Sequence, residues 1–120
     1  MRYMLMISGE EKEWEAKSEQ ERNAVYQACV NHSEPRRPSG FYQGGGRLEP
    51  TRTATTVRMK GGKAIMTDGP FAETKEQLGG YSIVEVGSLD EAVAIARDHP
   101  LVRVGGHSIE IRPIRELPPR

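Results

Sequence analysis

Thr67-Asp68-Gly69-Pro70-Phe71-Ala72-Glu73-Thr74-Lys75-Glu76-Gln77-Leu78-Gly79-Gly80 separates two apolar, strand-like runs, Lys63 to Thr67 and Tyr81 to Val86. Asp-Gly-Pro stops regular structure: Asp bonds its own backbone, Gly tolerates positive φ, and Pro fixes φ and lacks an amide donor. Phe71 gives the connection an apolar anchor, and Gly79-Gly80 lets backbone approach a neighbour closely. Loops held in shape by a rigid scaffold are where sites tend to lie. Before the loop, Thr53 to Met59 is rich in Thr and Val, Gly61-Gly62 is a turn signal, and Lys63 to Thr67 returns. That is a hairpin.

Toward the N-terminus, Tyr3 to Ser8 reads as a buried strand ended by Gly9. Ser18 with Glu21 makes a capping-box pattern. The helix it opens places Val25, Ala28, Cys29 and His32 on one stripe and stops before Pro35. Glu34 to Gly46 reads as an irregular connection in which Phe41 and Tyr42 start a strand, and Leu48 to Pro50 as a turn. Toward the C-terminus, Tyr81 to Val86 is a strand. Ser88 caps a second helix with Glu91 at the box position and Ala92, Val93, Ile95 and Ala96 on its buried side. His99-Pro100 ends it. His107 to Ile114 alternates, with Ile109, Ile111 and Pro113 on one face. Residues 1–114 form one domain and 115–120 a loose tail. The order is βαββαβ with an extra strand or hairpin, a ferredoxin-like α+β fold. Helices on one face leave the other face needing cover, and a homodimer packed sheet to sheet is expected to supply it.

Composition narrows the function. The chain has 120 residues, enough for one core without staples. Seventeen basic residues balance seventeen acidic ones without a basic stripe, so the footprint of a nucleic-acid binder is missing. No run approaches the roughly 20 apolar residues that span a bilayer, and no signal peptide is visible. Cys29 is the single cysteine, which suits a reducing, cytoplasmic setting. His32, His99 and His107 have no recognised metal spacing. Gly44-Gly45-Gly46 matches neither a P-loop nor a dinucleotide fingerprint. No metal or cofactor is expected.

Asp68 to Gly80 followed by Tyr81 resembles the signature of DGPF-domain proteins, within the wider YCII-related family. Arg2 to Ile7, Ala54-Thr55-Thr56-Val57-Arg58 and Ile109 to Ile114 fit the same pattern, so the resemblance runs from Met1 to about Ile114. It implies a fold of the dimeric α+β barrel type. Some DGPF proteins are linked with extracytoplasmic-function sigma factors. Some YCII-like relatives carry a His–Asp pair with the His near the first helix; here that helix lacks a histidine at its start, and the pair does not carry over.

The side chains offer a candidate site near the Asp68-Gly69-Pro70 loop. Asp68 suits a general base or substrate acceptor, although an Asx-turn role is the more ordinary one. His107 suits an acid–base partner to Asp68 if both reach one end of the sheet. Arg58 or Lys75 would supply charge for an anionic ligand, beside Phe71. Glu73 and Glu76 sit three apart, most often as solvated ion-pair partners of Lys75. Arg36, Arg37 and Arg47 could attract an anion at a loop mouth, though solvation is the commoner role. Trp14 is a lid or, preferably, a dimer contact. His32 reads as a core-edge residue and His99 as an imidazolium at a helix C-terminus. Two functions stand: a small-molecule enzyme or binder, or a non-catalytic dimeric regulatory module, associated with a sigma factor.

Overall fold

In the computed structural model, Arg2–Gly9 forms β1, and alternate residues Tyr3, Leu5 and Gly9 are buried. Period-two burial is what one covered face of a strand requires. β1 is central, pairing antiparallel with β5 (Gln77–Glu85) on one side and β6 (His107–Pro113) on the other. β2 (Tyr42–Arg47) joins the far side of β5, giving the order β2-β5-β1-β6. The helices α1 (Glu11–Ala16) and α2 (Glu19–Ser33) connect β1 to β2; α3 (Leu89–Arg97) and α4 (Pro100–Arg103) connect β5 to β6. This is a split βαβ plan in an α+β fold. The extra element is a hairpin, β3 (Thr55–Lys60) with β4 (Lys63–Asp68), which forms its own two-stranded sheet. The structure describes every residue except Gly105 and Arg120. One half of the Gly105-Gly106 pair and the last residue of the tail therefore lie outside the described residues.

Directly opposed residues in antiparallel strands share a face. One face thus carries Tyr3, Leu5, Ile7 and Gly9 of β1, and Val84, Ser82, Gly80 and Gln77 of β5. Ile111, Ile109 and His107 of β6 join them, as do Tyr42, Gly45 and Arg47 of β2. The two ends of this face differ. At one end Tyr3, Leu5 and Val84 are buried with Ala92 and Ala96 of α3. Alanines let α3 come close, and burying a Leu or Val side chain contributes about 1.5–3 kcal/mol. At the other end Gly9, Gly80 and Gly45 offer no side chains. There α2 is not packed down, and none of its residues is fully buried. Its larger inward side chains, Tyr26 and His32, are half-buried.

Both helix starts follow the expected chemistry. Ser18 Oγ accepts from the Glu21 amide while the Glu21 carboxylate accepts from the Ser18 amide, both at 3.1 Å. Ser88 accepts from the Glu91 amide, but the Glu91 carboxylate takes Gly87 N–H, one residue early. Several elements differ from expectation. α1 arises in a charged run with no apolar stripe to announce it. Residues 34–39 form a 3-10 turn, with Pro35 near its start, where a missing N–H costs little. Gly44-Gly45-Gly46 is strand rather than loop, because the edge of β5 supplies the hydrogen bonds that glycine alone does not favour. β5 also begins at Gln77, so Gly79-Gly80 lies inside it, with a register shift between Ile7 and Ser8.

Candidate functional site

Because α2 stands off the glycine end of the sheet, a cavity of about 640 Å³ opens between them. Gly9, Gly45, Gly80 and Ser82 lie on its sheet side; Tyr26, Cys29, His32 and Ser33 come from α2. Trp14 and His107 line it as well, and so do Phe41, Ile95, His99 and Leu101. Arg22, Arg36, Arg37 and Arg47 contribute cations, and Glu11, Glu15 and Glu49 carboxylates. A more open hollow beside Met1, Val86 and Glu91 holds no histidine.

His107 opens β6 directly opposite Gly9 of β1. A Cβ on Gly9 would fall 2.5 Å from His107 Cδ2 and 2.7 Å from Nε2, so the imidazole occupies the space that glycine leaves. The Trp14 ring meets it edge-on with centroids 5.8 Å apart. Trp14 also packs on Tyr26 at 5.3 Å, which places it in the cavity wall. His32 and His99 lie 5.2 Å apart, centroid to centroid.

His99 is an N-cap, not a C-terminal imidazolium. Its Nδ1 accepts from the Leu101 amide at 3.2 Å at the start of α4. An accepting Nδ1 carries no proton. Burial, then the charges of His32 and His107, push its pKa down to about 4. It is neutral at pH 7 with its proton on Nε2. Burial and Arg36 also lower His32, against Asp98 and the Ile95 backbone. Burial raises the Cys29 thiol despite Arg47, which keeps it protonated and a poor nucleophile.

The remaining polar groups have defined duties. Glu11 accepts from Thr51 N at 2.8 Å and Thr51 Oγ1 at 2.7 Å. Its own amide donates to Gln77 Oε1 at 2.9 Å, tying α1 to the start of β5. Glu15 pairs with Arg52 at 2.7 Å. Arg22 donates to the carbonyls of Lys17 and Glu15, and Arg36 to that of His32. Arg37 pairs with Glu34 at 3.0 Å and lies 4.9 Å over Tyr42. The Arg47 guanidinium lies 3.4 Å over the Tyr26 ring.

Of the side chains assigned from sequence to the site near the Asp68 loop, His107 lines the cavity, whereas Asp68, Phe71, Lys75 and Arg58 do not; Arg36, Arg37 and Arg47, read as able to attract an anion, line it too. Asp68 is the exposed last residue of β4, opposite Thr55. Gly69 beyond it has φ 103° and donates to the Ala54 carbonyl at 2.7 Å. Arg58 and Phe71 are brought together: the guanidinium donates to the Phe71 carbonyl at 3.4 Å. Phe71 and Lys75 are exposed. The loop meets the cavity only at its end, where Gln77 lines it and Ser108 donates to Glu76 at 3.5 Å. Sequence reasoning missed Tyr26 and Gln77 and assigned Trp14, His32 and His99 elsewhere. Their common signal, a stripe of large polar or aromatic residues facing glycines, needs the pairing register to be seen.

The profile of the YCII-related domain matches residues 1–118. The chain belongs to the YCII-related family. An uncharacterised protein of Rhizobium meliloti (strain 1021) is 48% identical over 68 residues, covering 57% of this chain and 55% of that protein. The match thus spans about half the length of that relative. Among solved structures, the fold resembles 5-chloro-2-hydroxyhydroquinone dehydrochlorinase from Burkholderia phenoliruptrix AC1100, in complex with 2,5-dihydroxybenzoquinone. That likeness has a TM-score of 0.56 at 19% identity, covering 96% of this chain and 94% of the other. At such identity it shows the fold alone. Among the described residues of this YCII-related domain, no helix is long and apolar enough to cross a membrane. What its cavity provides chemically is a neutral imidazole donor at His99, a second imidazole at His107, aromatic walls and a surplus of arginine.

Proposed function

We propose that this YCII-related domain is a small-molecule-binding protein whose site is the cavity between α2 and the glycine end of the sheet. In this reading His107, which lines the cavity, exchanges a proton with the occupant. The observation that carries this reading is the cavity itself, with aromatic walls and a few convergent polar groups, the usual make-up of a ligand site. The fold neighbour's small-molecule chemistry agrees with it by analogy only. In this reading Asp68 shapes its turn, and Arg58, Phe71 and Lys75 serve the hairpin.

We also place the chain with the DGPF-type members, on Asp68 to Tyr81, and read its assembly as a homodimer of the dimeric α+β barrel type. Support for the dimer comes from the sheet face away from the helices, where Met4, Met6, Tyr81 and Ile83 lie side by side. The alternative, a regulatory module tied to a sigma factor, has no observation that favours it.

The test is a thermal-shift screen of small ring compounds against the wild type and Cys29→Phe, which fills the α2 side of the cavity. A ligand at a hundred times its Kd stabilises by about 2.7 kcal/mol. Hits are expected to stabilise the wild type and lose that effect in the filled variant, with far-UV circular dichroism unchanged. Hits indifferent to the filling would place binding elsewhere and sink the reading.

A further inference from the structure

Resting on the cavity as the binding site, we infer the class of its ligand: a flat ring bearing a carboxylate or ring oxyanion, received by Arg47. Arg47 closes β2 on the helix-facing side, opposite Gly80. Its guanidinium spans from the sheet to α2, 3.4 Å over Tyr26. Stacking occupies the face of the guanidinium and leaves its N–H edge, the fork that takes a carboxylate bidentately. Among the described residues, the ion pairs are Arg2–Glu116, Arg37–Glu34, Arg52–Glu15 and Arg103–Asp98, so Arg47 has no carboxylate partner.

The neighbouring charges do not cancel it. Arg22 and Arg36 are engaged by helix carbonyls and Arg37 by Glu34. On the acidic side, Glu11 is bonded to Thr51 and Glu15 to Arg52, and among the described residues Glu49 forms no ion pair with Arg47. Four arginines against three glutamates leave the lining positive. The shape adds the second half of the assignment. Trp14, packed at 5.3 Å on Tyr26, gives the lining an aromatic wall that suits a planar body. A ring lies against that wall, and its acidic oxygen meets the Arg47 edge.

Benzoate, benzamide and benzylamine share a ring and differ in charge, so they separate the two layers of the proposal. Each is titrated into the protein while NMR follows the Trp14 indole and the Gly45 and Gly80 amides. Benzoate is expected to bind at least tenfold tighter than benzamide, with benzylamine weaker still. Arg47→Gln should abolish that preference with its unfolding midpoint unchanged, and Arg47→Lys, which keeps charge without the fork, should restore only part of it. Benzamide or benzylamine binding as tightly as benzoate, or Arg47→Gln binding benzoate like wild type, overturns the anion class and leaves the cavity as a site. If none of the three perturbs cavity signals, both readings fall.

Discussion

Three histidines line one cavity, yet each is held by a different physical device. His107 occupies the space left by Gly9; His32 is half-buried beside Arg36; His99 is a neutral cap. The last has a consequence for stability. The folded value of about 4 lies below the ordinary imidazole value of 6.5. Between these two pH values the unfolded chain therefore binds more protons than the folded one. Stability is full above pH 6.5 and falls as pH drops toward 4. The His32 pKa shifts the same way, lowered first by burial and then by Arg36, with Asp98 opposing. Partial exposure of His99 screens the effect, so the loss is smaller than the pKa alone implies. His99→Asn keeps an N-cap acceptor and removes the titration. Urea unfolding at pH 7 and pH 4.5 should show a shallower acid loss in that variant than in wild type. Equal losses would show that His99 is not held neutral by the fold.

At the scale of elements, α2 is the unusual one, since a 15-residue helix here has no fully buried residue. Its start depends on the Ser18–Glu21 capping box rather than on core packing. Ser18→Ala should therefore cost about 1 kcal/mol. Hydrogen exchange should show that cost as faster opening of α2 amides, with the β1 and β5 amides little changed. Uniform acceleration across the sheet would mean that α2 is coupled to the core after all. The elements that sequence exposed are those whose signal is local. The Ser18 and Ser88 caps, the Gly61-Gly62 turn and the alternation of His107 to Ile114 each fit within a few residues. Those it concealed are imposed from outside. Gly44 to Gly46 is strand only because the β5 edge is available, and α1 has no stripe to show. The site was concealed for the same reason: His107 could be named, but its seat on Gly9 and the reach of Arg47 to Tyr26 depend on register.

For the whole molecule, the radius of gyration is 16.5 Å, against about 14 Å for a compact domain of this length. The β3–β4 hairpin is one source of that extension. Val57 opposes Met66 and Met59 opposes Ala64 on one of its faces; Arg58, Lys60 and Lys63 occupy the other, together with Ile65. Val57, Met59 and Met66 are 60%, 69% and 74% exposed. A two-stranded hairpin is marginal in water unless something covers its apolar face. The sheet face bearing Met4, Met6, Tyr81 and Ile83 has the same need, and one second copy can meet both. Light scattering at micromolar concentration should then give twice the 13.4 kDa chain mass. Met6→Lys should yield a monomer that still binds in the cavity, because Met6 lies on the sheet face opposite to it. Val57→Lys should weaken the dimer if the hairpin reaches across, and a Val57→Lys dimer as tight as wild type would leave the hairpin outside the interface. A wild-type monomer would remove the dimer altogether, and the apolar faces would then need a different partner.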